Sequence, residues 1–328
     1  MKILIVRLSS LGDVILTSSV LSPLRKEGIE IDFLTLKPFG EIFRFDKRLR
    51  KVFEVEKETF KSLSSIRNLA KSLEKEKYDY VFDLHGVLKT FIFGKFLPFP
   101  VYRYKKKTLL RRLMVVFKPF KAKPLFVPEL YAEVFKKIGI EIGNPRPSLF
   151  LTQEEKERVK KFLPFEEFVA IAPGARWKTK QYPIEKFKKI VELLASKGKK
   201  VVVIGGKEER ELGDFLASGN SVINFCGKLS IRESLSVISL SQGVISNDSA
   251  VVHMARAVKK FVVAIFGPTH PSFGFAPAED EGITITRNLP CSPCSLHGKT
   301  KCENRECFEI PPEEIIEVFL DRISQENF

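Results

Sequence analysis

One phrase recurs along this chain. A short apolar run passes into a polar or glycine-bearing turn, and then into residues with a helical apolar period. At the start, Lys-Ile-Leu-Ile-Val (residues 2–6) runs through Arg7-Leu8-Ser9-Ser10-Leu11-Gly12-Asp13 into Val14, Ile15, Leu16, Val20, Leu21 and Leu24. A buried strand, a tight turn and a helix fit that order. Residues 78–84 lead the same way through His85-Gly86 into Val87-Leu88-Lys89-Thr90. In the second half, the runs at 168–172, 200–204, 222–224, 244–246 and 261–266 read as strands. Helical patterns cover 187–194, 208–216 and 231–240, with another around His253. Strands are also expected over 29–36 and 52–55, and an amphipathic helix over 62–75. Such βα repetition predicts an α/β protein with doubly wound parallel sheets.

At 328 residues, two domains of ordinary size are expected. Asn144-Pro145-Arg146-Pro147 reads as a linker, and Thr152 with Glu155 forms a capping box at the next helix. The domains are therefore expected at 1–150 and 151–328. Hydrophobic residues make up 44 % of the chain, which excludes a disordered polymer. The net charge of +15 predicts an anionic partner: nucleic acid, a membrane surface or an anionic substrate. A general lysine-rich surface explains much of the Lys/Glu content but not the one-sided excess. No apolar run nears the ~20 residues that span a bilayer. Met1-Lys2 enters a strand pattern directly, so the expected location is the cytoplasm. Five cysteines in a chain this long make no secreted disulfide framework.

The turns carry the candidate chemistry, because ligands bind at the carboxyl ends of parallel strands. Gly12 permits a sharp turn and close backbone approach. Asp13 is expected at the helix start, as an N-cap or just before it. Ser9 and Ser10 add hydroxyls beside the helix end. The turn lacks both the G-x-G-x-x-G spacing and a Gly-Lys-Ser/Thr, so Asp13 suits a general base better than a phosphate cradle. His85 fits either a ligand contact or a loop histidine satisfied by backbone, and Lys89 lies beside it. After residues 168–172, Gly174, Thr179 and Lys180 offer a glycine, a hydroxyl and a point charge for phosphates. Asp248, Ser249 and Ala250 open a helix whose N-terminus can hold a diphosphate. Taken alone, Asp248 reads as a simple cap and His253 as a packed helix face.

Two stretches stand apart. Residues 102–126 interleave Lys105, Lys106, Lys107, Arg111, Arg112, Lys118, Lys121 and Lys123 with Leu109, Leu110, Leu113, Val116, Phe117 and Phe120. That composition suits an anionic membrane surface, RNA, or a core helix with a solvated basic face. Cys291, Cys294, Cys302 and Cys307 form a second cluster, open to a structural metal, a disulfide or free thiols. Cys226 reads as a small core residue. Pro311-Pro312 opens a final amphipathic helix with Ile315, Ile316, Phe319 and Ile323.

The motifs Arg7-Leu8-Ser9-Ser10-Leu11-Gly12-Asp13-Val14, Asp83-Leu84-His85-Gly86, Lys180-Gln181-Tyr182-Pro183, Asn247-Asp248-Ser249-Ala250-Val251-Val252-His253 and Gly267-Pro268-Thr269 resemble, in order, those of the lipopolysaccharide heptosyltransferases (glycosyltransferase family 9). The resemblance spans nearly the whole chain. It implies the GT-B fold: two Rossmann-like domains, doubly wound parallel sheets, facing one another across a cleft. It also suggests that the final helix packs back across the domain junction. It implies inverting transfer of heptose from ADP-heptose to the inner core of lipopolysaccharide, with Kdo-lipid A or the first heptose as acceptor and no metal required for catalysis.

Carried over by residue, Asp13 is the expected catalytic base. Ser9, Ser10, Gly12, Gly174, Thr179, Lys180, Asp248, Ser249, Ala250 and His253 are expected on the donor side, and His85, Lys89, Arg111 and Arg112 on the acceptor side. The family commonly has Gly where Ala250 stands and Gln where His85 stands. The implied partners are a sugar nucleotide and an acidic glycolipid at the inner face of the cytoplasmic membrane, with no nucleic acid. A sugar-nucleotide epimerase of the same fold and a non-enzymatic binder of RNA or anionic membrane are the rival readings.

Overall fold

The computed structural model describes residues 1–118, 123–299, 302 and 304–325. Phe120 and Lys121 of the basic segment lie outside them. The chain forms two compact units: Met1–Lys106 with Val127–Phe150, and Lys107–Phe126 with Leu151–Phe328.

The first unit is built on five parallel strands, β1 (Lys2–Val6), β2 (Glu30–Leu36), β3 (Leu49–Val55), β4 (Tyr80–Asp83) and β5 (Val101–Arg103), in the order β3-β2-β1-β4-β5. β1 is central, and its Ile3, Leu4 and Ile5 are fully buried. A strand covered on both faces reads as a continuous apolar run, as this one does. The helix Leu63–Glu74 starts at Ser62, whose Oγ accepts from the Ser65 N–H at 3.1 Å. It buries Ile66, Ala70 and Leu73.

The second unit carries six parallel strands, β6 (Val169–Ala172), β7 (Val201–Val203), β8 (Val222–Asn224), β9 (Val244–Asn247), β10 (Val262–Ile265) and β11 (Gly282–Ile285), in the order β11-β10-β9-β6-β7-β8. The helix Gln153–Lys160 begins with the expected capping box, the Thr152 N–H donating to Glu155 Oε2 at 2.9 Å. Lys107–Phe126 is tied to this unit: the Leu125 N–H donates to Ser272 O at 3.0 Å, and Arg111 lies over the Phe275 ring at 5.2 Å. The final helix, Pro312–Gln325, buries Ile315, Ile316, Phe319 and Ile323 in this unit's own core, beside Phe187, Ile190 and Leu194.

Both sheets share one topology. The first strand of each unit is central, and the chain winds to one side of it before switching to the other. The switch points fall between β1 and β4 and between β6 and β9. Loops at the carboxyl ends of such strand pairs diverge and leave room for a ligand.

Candidate functional site

At the switch point of the first unit, β1 is followed by Arg7, only 4 % exposed. Its Nη1 donates to Leu84 O at 2.6 Å, just past β4, and the guanidinium lies over the Tyr131 ring at 5.7 Å. Arg7 Nη2 stands 2.6 Å from Asp13 Oδ1. Burial works against the charge on Arg7. The Asp13 carboxylate, with Tyr131 and Tyr104, more than offsets it, and the net shift is upward. The helix begins at Leu11, so the N-cap is Ser10 rather than Asp13. Asp13 is the third helical residue and reaches back: Ser10 Oγ donates to Asp13 Oδ2 at 2.8 Å and the Ser10 N–H at 3.3 Å. This reach-back, with Arg7, fixes the carboxylate from two sides.

His85 follows β4 on a loop shaped by Asp83, whose Oδ1 accepts from the backbone N–H groups of His85 (3.0 Å) and Gly86 (2.8 Å). Gly86 has φ +59°, which explains the glycine there. Burial, then the cations Arg7 and Lys106, lower the His85 pKa to about 3. The imidazole is therefore neutral across the physiological range. Its Nδ1 is buried with no hydrogen-bond partner among the described residues. Lys89 is exposed on the helix Leu88–Phe96. Ser9, Ser10 and Gly12, expected on the donor side, lie with Asp13 in this unit.

At the switch point of the second unit, the loop after β6 meets the loop after β9. Lys180 Nζ stands 2.6 Å from Asp248 Oδ2, and Thr269 Oγ1 donates to the same oxygen at 2.6 Å. Fully buried Asn247 holds the two loops together. Its Nδ2 donates to Pro173 O at 2.7 Å and its Oδ1 accepts from the Tyr182 N–H at 2.9 Å. The helix Ala250–Ala257 is capped by Ser249, whose Oγ accepts from the Val251 N–H at 3.2 Å. Asp248 is thus one residue before the cap and serves as partner to Lys180 and Thr269. Gly174 lies against the Glu209 side chain, and Glu209 Oε2 accepts from the Gly206 N–H at 2.7 Å.

Two expected donor residues are otherwise engaged. Thr179 Oγ1 donates to Gly298 O on the cysteine-bearing loop. His253 is buried, with its Nδ1 3.3 Å from Arg256 Nη1, and Arg256 pairs with Glu281 at 2.8 Å. Of the expected acceptor arginines, both on the helix Thr108–Val116, Arg111 is turned against Phe275 and Arg112 is exposed.

The cysteine loop grips the Lys180 turn. Besides Thr179 to Gly298, an Arg305 N–H donates to Gln181 O, and Gly298 (φ +88°) packs where a Cβ would overlap the Lys180 stem. Of its cysteines, Cys291, Cys294 and Cys307 are free thiols; Cys291 and Cys302 are exposed and Cys307 is buried. Burial, then the neighbouring cysteines, push the Cys307 thiol up to about 11. Among the described residues, no group of three His, Cys, Asp or Glu is arranged to hold a metal. Burial likewise pushes Cys226 up to about 12, as suits a core thiol.

Arg7, Asn247, Thr269 and Glu209 were not singled out from the sequence. Arg7, Asn247 and Thr269 stood inside quoted motifs, but only the fold shows their side chains turned into the loops.

Two Rossmann-like parallel sheets, each with charged, hydrogen-bonded loops at its switch point, are the units of the GT-B fold. The chain belongs to glycosyltransferase family 9 (heptosyltransferase), whose sequence pattern it matches over residues 66–304. It is 25 % identical over 333 residues to lipopolysaccharide heptosyltransferase 1 of Pseudomonas aeruginosa, covering 96 % of this chain and 92 % of that protein. It is 26 % identical over 317 residues to lipooligosaccharide heptosyltransferase 2 of Haemophilus influenzae, covering 88 % of each. The fold matches Escherichia coli ADP-heptose lps heptosyltransferase II with a TM-score of 0.77 at 21 % identity, over the whole of both chains. E. coli heptosyltransferase WaaC with ADP matches with a TM-score of 0.73 at 20 % identity, again over both whole chains.

Proposed function

We propose that this enzyme transfers heptose from ADP-heptose to the inner core of lipopolysaccharide, with a Kdo-bearing lipid A or a first heptose as acceptor. The observation that carries the reading is the Arg7–Asp13 pair at the β1/β4 switch point, a fixed carboxylate where an acceptor hydroxyl can be met. The names of the family and of the relatives supply the sugar and the acceptor.

An alcohol is a weak nucleophile, so a positioned base must take its proton as its oxygen bonds to the sugar carbon. Asp13 takes that proton. As the new bond forms, the bond from the anomeric carbon to the diphosphate oxygen breaks on the opposite face, which inverts the centre. Negative charge grows on the departing ADP. Lys180 and the backbone N–H groups at the start of Ala250–Ala257 stabilise it. Asp248 holds Lys180 in place before the donor arrives. Neutral His85 beside Asp13 is a hydrogen-bonding contact for the acceptor, and Lys89 meets its anionic groups. No role is assigned to a metal at the cysteines. The enzyme works in the cytoplasm, peripherally on the inner membrane, where a lipid-linked acceptor is presented.

The test is transfer from ADP-heptose to Kdo-bearing lipid A by wild type and Asp13→Asn. A fall in kcat of roughly 10²- to 10⁴-fold with ADP binding retained is expected. Wild type that binds ADP but transfers nothing to this acceptor overturns the acceptor assignment. Full activity of Asp13→Asn overturns the base.

A further inference from the structure

The helix Thr108–Val116 is amphipathic the wrong way round. Met114 is its buried residue, and beside it Arg111 is turned in over the Phe275 ring at 5.2 Å. The opposite face presents Leu109, 72 % exposed, Val116, 69 % exposed, and the half-exposed Leu113 between them, with Phe117 just beyond the helix end at 60 %. Leu109, Leu113 and Val116 stand four and three residues apart and share one stripe of the helix. Exposed Arg112 borders that stripe, exposed Lys107 precedes the helix, and Lys118 follows it. A helix in a globular unit ordinarily turns such a stripe inward. This one keeps Leu109 and Val116 in water and Arg111 against an aromatic ring.

We propose that the outward face of Thr108–Val116 inserts among the headgroups of an anionic lipid surface, Leu109, Val116 and Phe117 entering the acyl boundary and Lys107 and Arg112 meeting the phosphates. Apolar side chains rimmed by lysine and arginine are the pattern of an interfacial helix, which gains from apolar burial and from attraction to anionic lipid. The chain's net charge of +15 adds long-range attraction of the same sign. A protein partner of matching shape would satisfy the apolar stripe equally, but the basic rim and overall charge favour lipid. This surface deepens the lipid-linked acceptor reading and gives the enzyme a means of approaching it.

The test measures lipid binding without turnover, so its outcome is separable from that of the transfer assay. The full-length protein is sedimented with vesicles of phosphatidylglycerol and phosphatidylethanolamine, or of phosphatidylcholine alone, at physiological salt. The wild type is expected with the anionic vesicles and largely absent from the neutral ones. The double variant Leu109→Ser/Val116→Ser should lose roughly tenfold or more in vesicle affinity. Its thermal unfolding midpoint and ADP affinity should stay at wild-type values, since both side chains are already in water. Wild type that ignores anionic vesicles overturns the proposal, as does a double variant that binds them equally well. A wild-type dimer that the double variant splits into monomers also overturns it, because a second copy would then cover the stripe.

Discussion

Arg7 Nη2 and Asp13 Oδ1 meet at 2.6 Å, one residue just past the first strand and the other in the first turn of the first helix. The arginine is itself anchored, through Leu84 O, to the loop after β4. The pair thus ties together the two strands that flank the switch point. A buried cation beside a carboxylate favours the ionised, proton-accepting form and limits where it can swing.

Arg7→Met should therefore lower kcat by roughly 10²-fold, a loss typical of a misplaced or mis-ionised base. The acid limb of its kcat/KM profile should move to higher pH, because loss of the cation makes Asp13 easier to protonate. Arg7→Lys should recover part of both. A pH–rate profile of the three proteins decides this, and an acid limb that does not move would assign Arg7 to folding alone.

Lys180→Met should weaken ADP binding by about 10- to 100-fold, the range of a lost charge-assisted hydrogen bond. It should also flatten the salt dependence of that binding. Isothermal titration at two salt concentrations reads both.

His85 should make the protein acid-sensitive. Its folded pKa, about 3, lies below its unfolded value near 6.5. Between those values the unfolded chain binds more protons, so stability falls as pH drops through 6.5 towards 3. His85→Gln removes this dependence. The wild type should lose more of its unfolding free energy between pH 7 and pH 5 than the variant, as measured in urea.

Asn247→Ala leaves the Tyr182 N–H and the Pro173 carbonyl without their partner in a fully buried position. The expected loss is roughly 2–4 kcal/mol of stability. ADP affinity should fall as well, because Asn247 holds the Lys180 turn to β9. Denaturant unfolding and ADP titration of the same variant test the two effects together.

Much of the fold was legible because central parallel strands must be apolar throughout. β1, β6, β9 and β10 announced themselves as Val/Ile-rich runs closed by glycine or polar turns. β5 and β11 did not. Val101–Arg103 is too short and too polar to show any period, and Gly282–Ile285 has one exposed isoleucine and begins on glycine. The site was legible where a turn residue's type mattered, as at Asp13 and Lys180. It was opaque where a partner came from far along the chain. Nothing local indicates that Thr179 will bond to Gly298, or that Asp248 will take Thr269 as well as Lys180. The direction in which the helix Thr108–Val116 faces was likewise open, because its sequence allows a buried face of either kind.

The chain crosses between its two units three times, after Lys106, after Phe126 and after Phe150. A nick at the last crossing would not release two independent pieces. The N-terminal fragment would still carry residues 107–126, whose packing belongs with the C-terminal fragment through Leu125, Arg111 and Met114. The two fragments should co-purify and complement one another. Expression of residues 1–150 alone would instead leave a helix with neither its neighbours nor a covered face, a poor starting point for producing the first half of this enzyme in isolation.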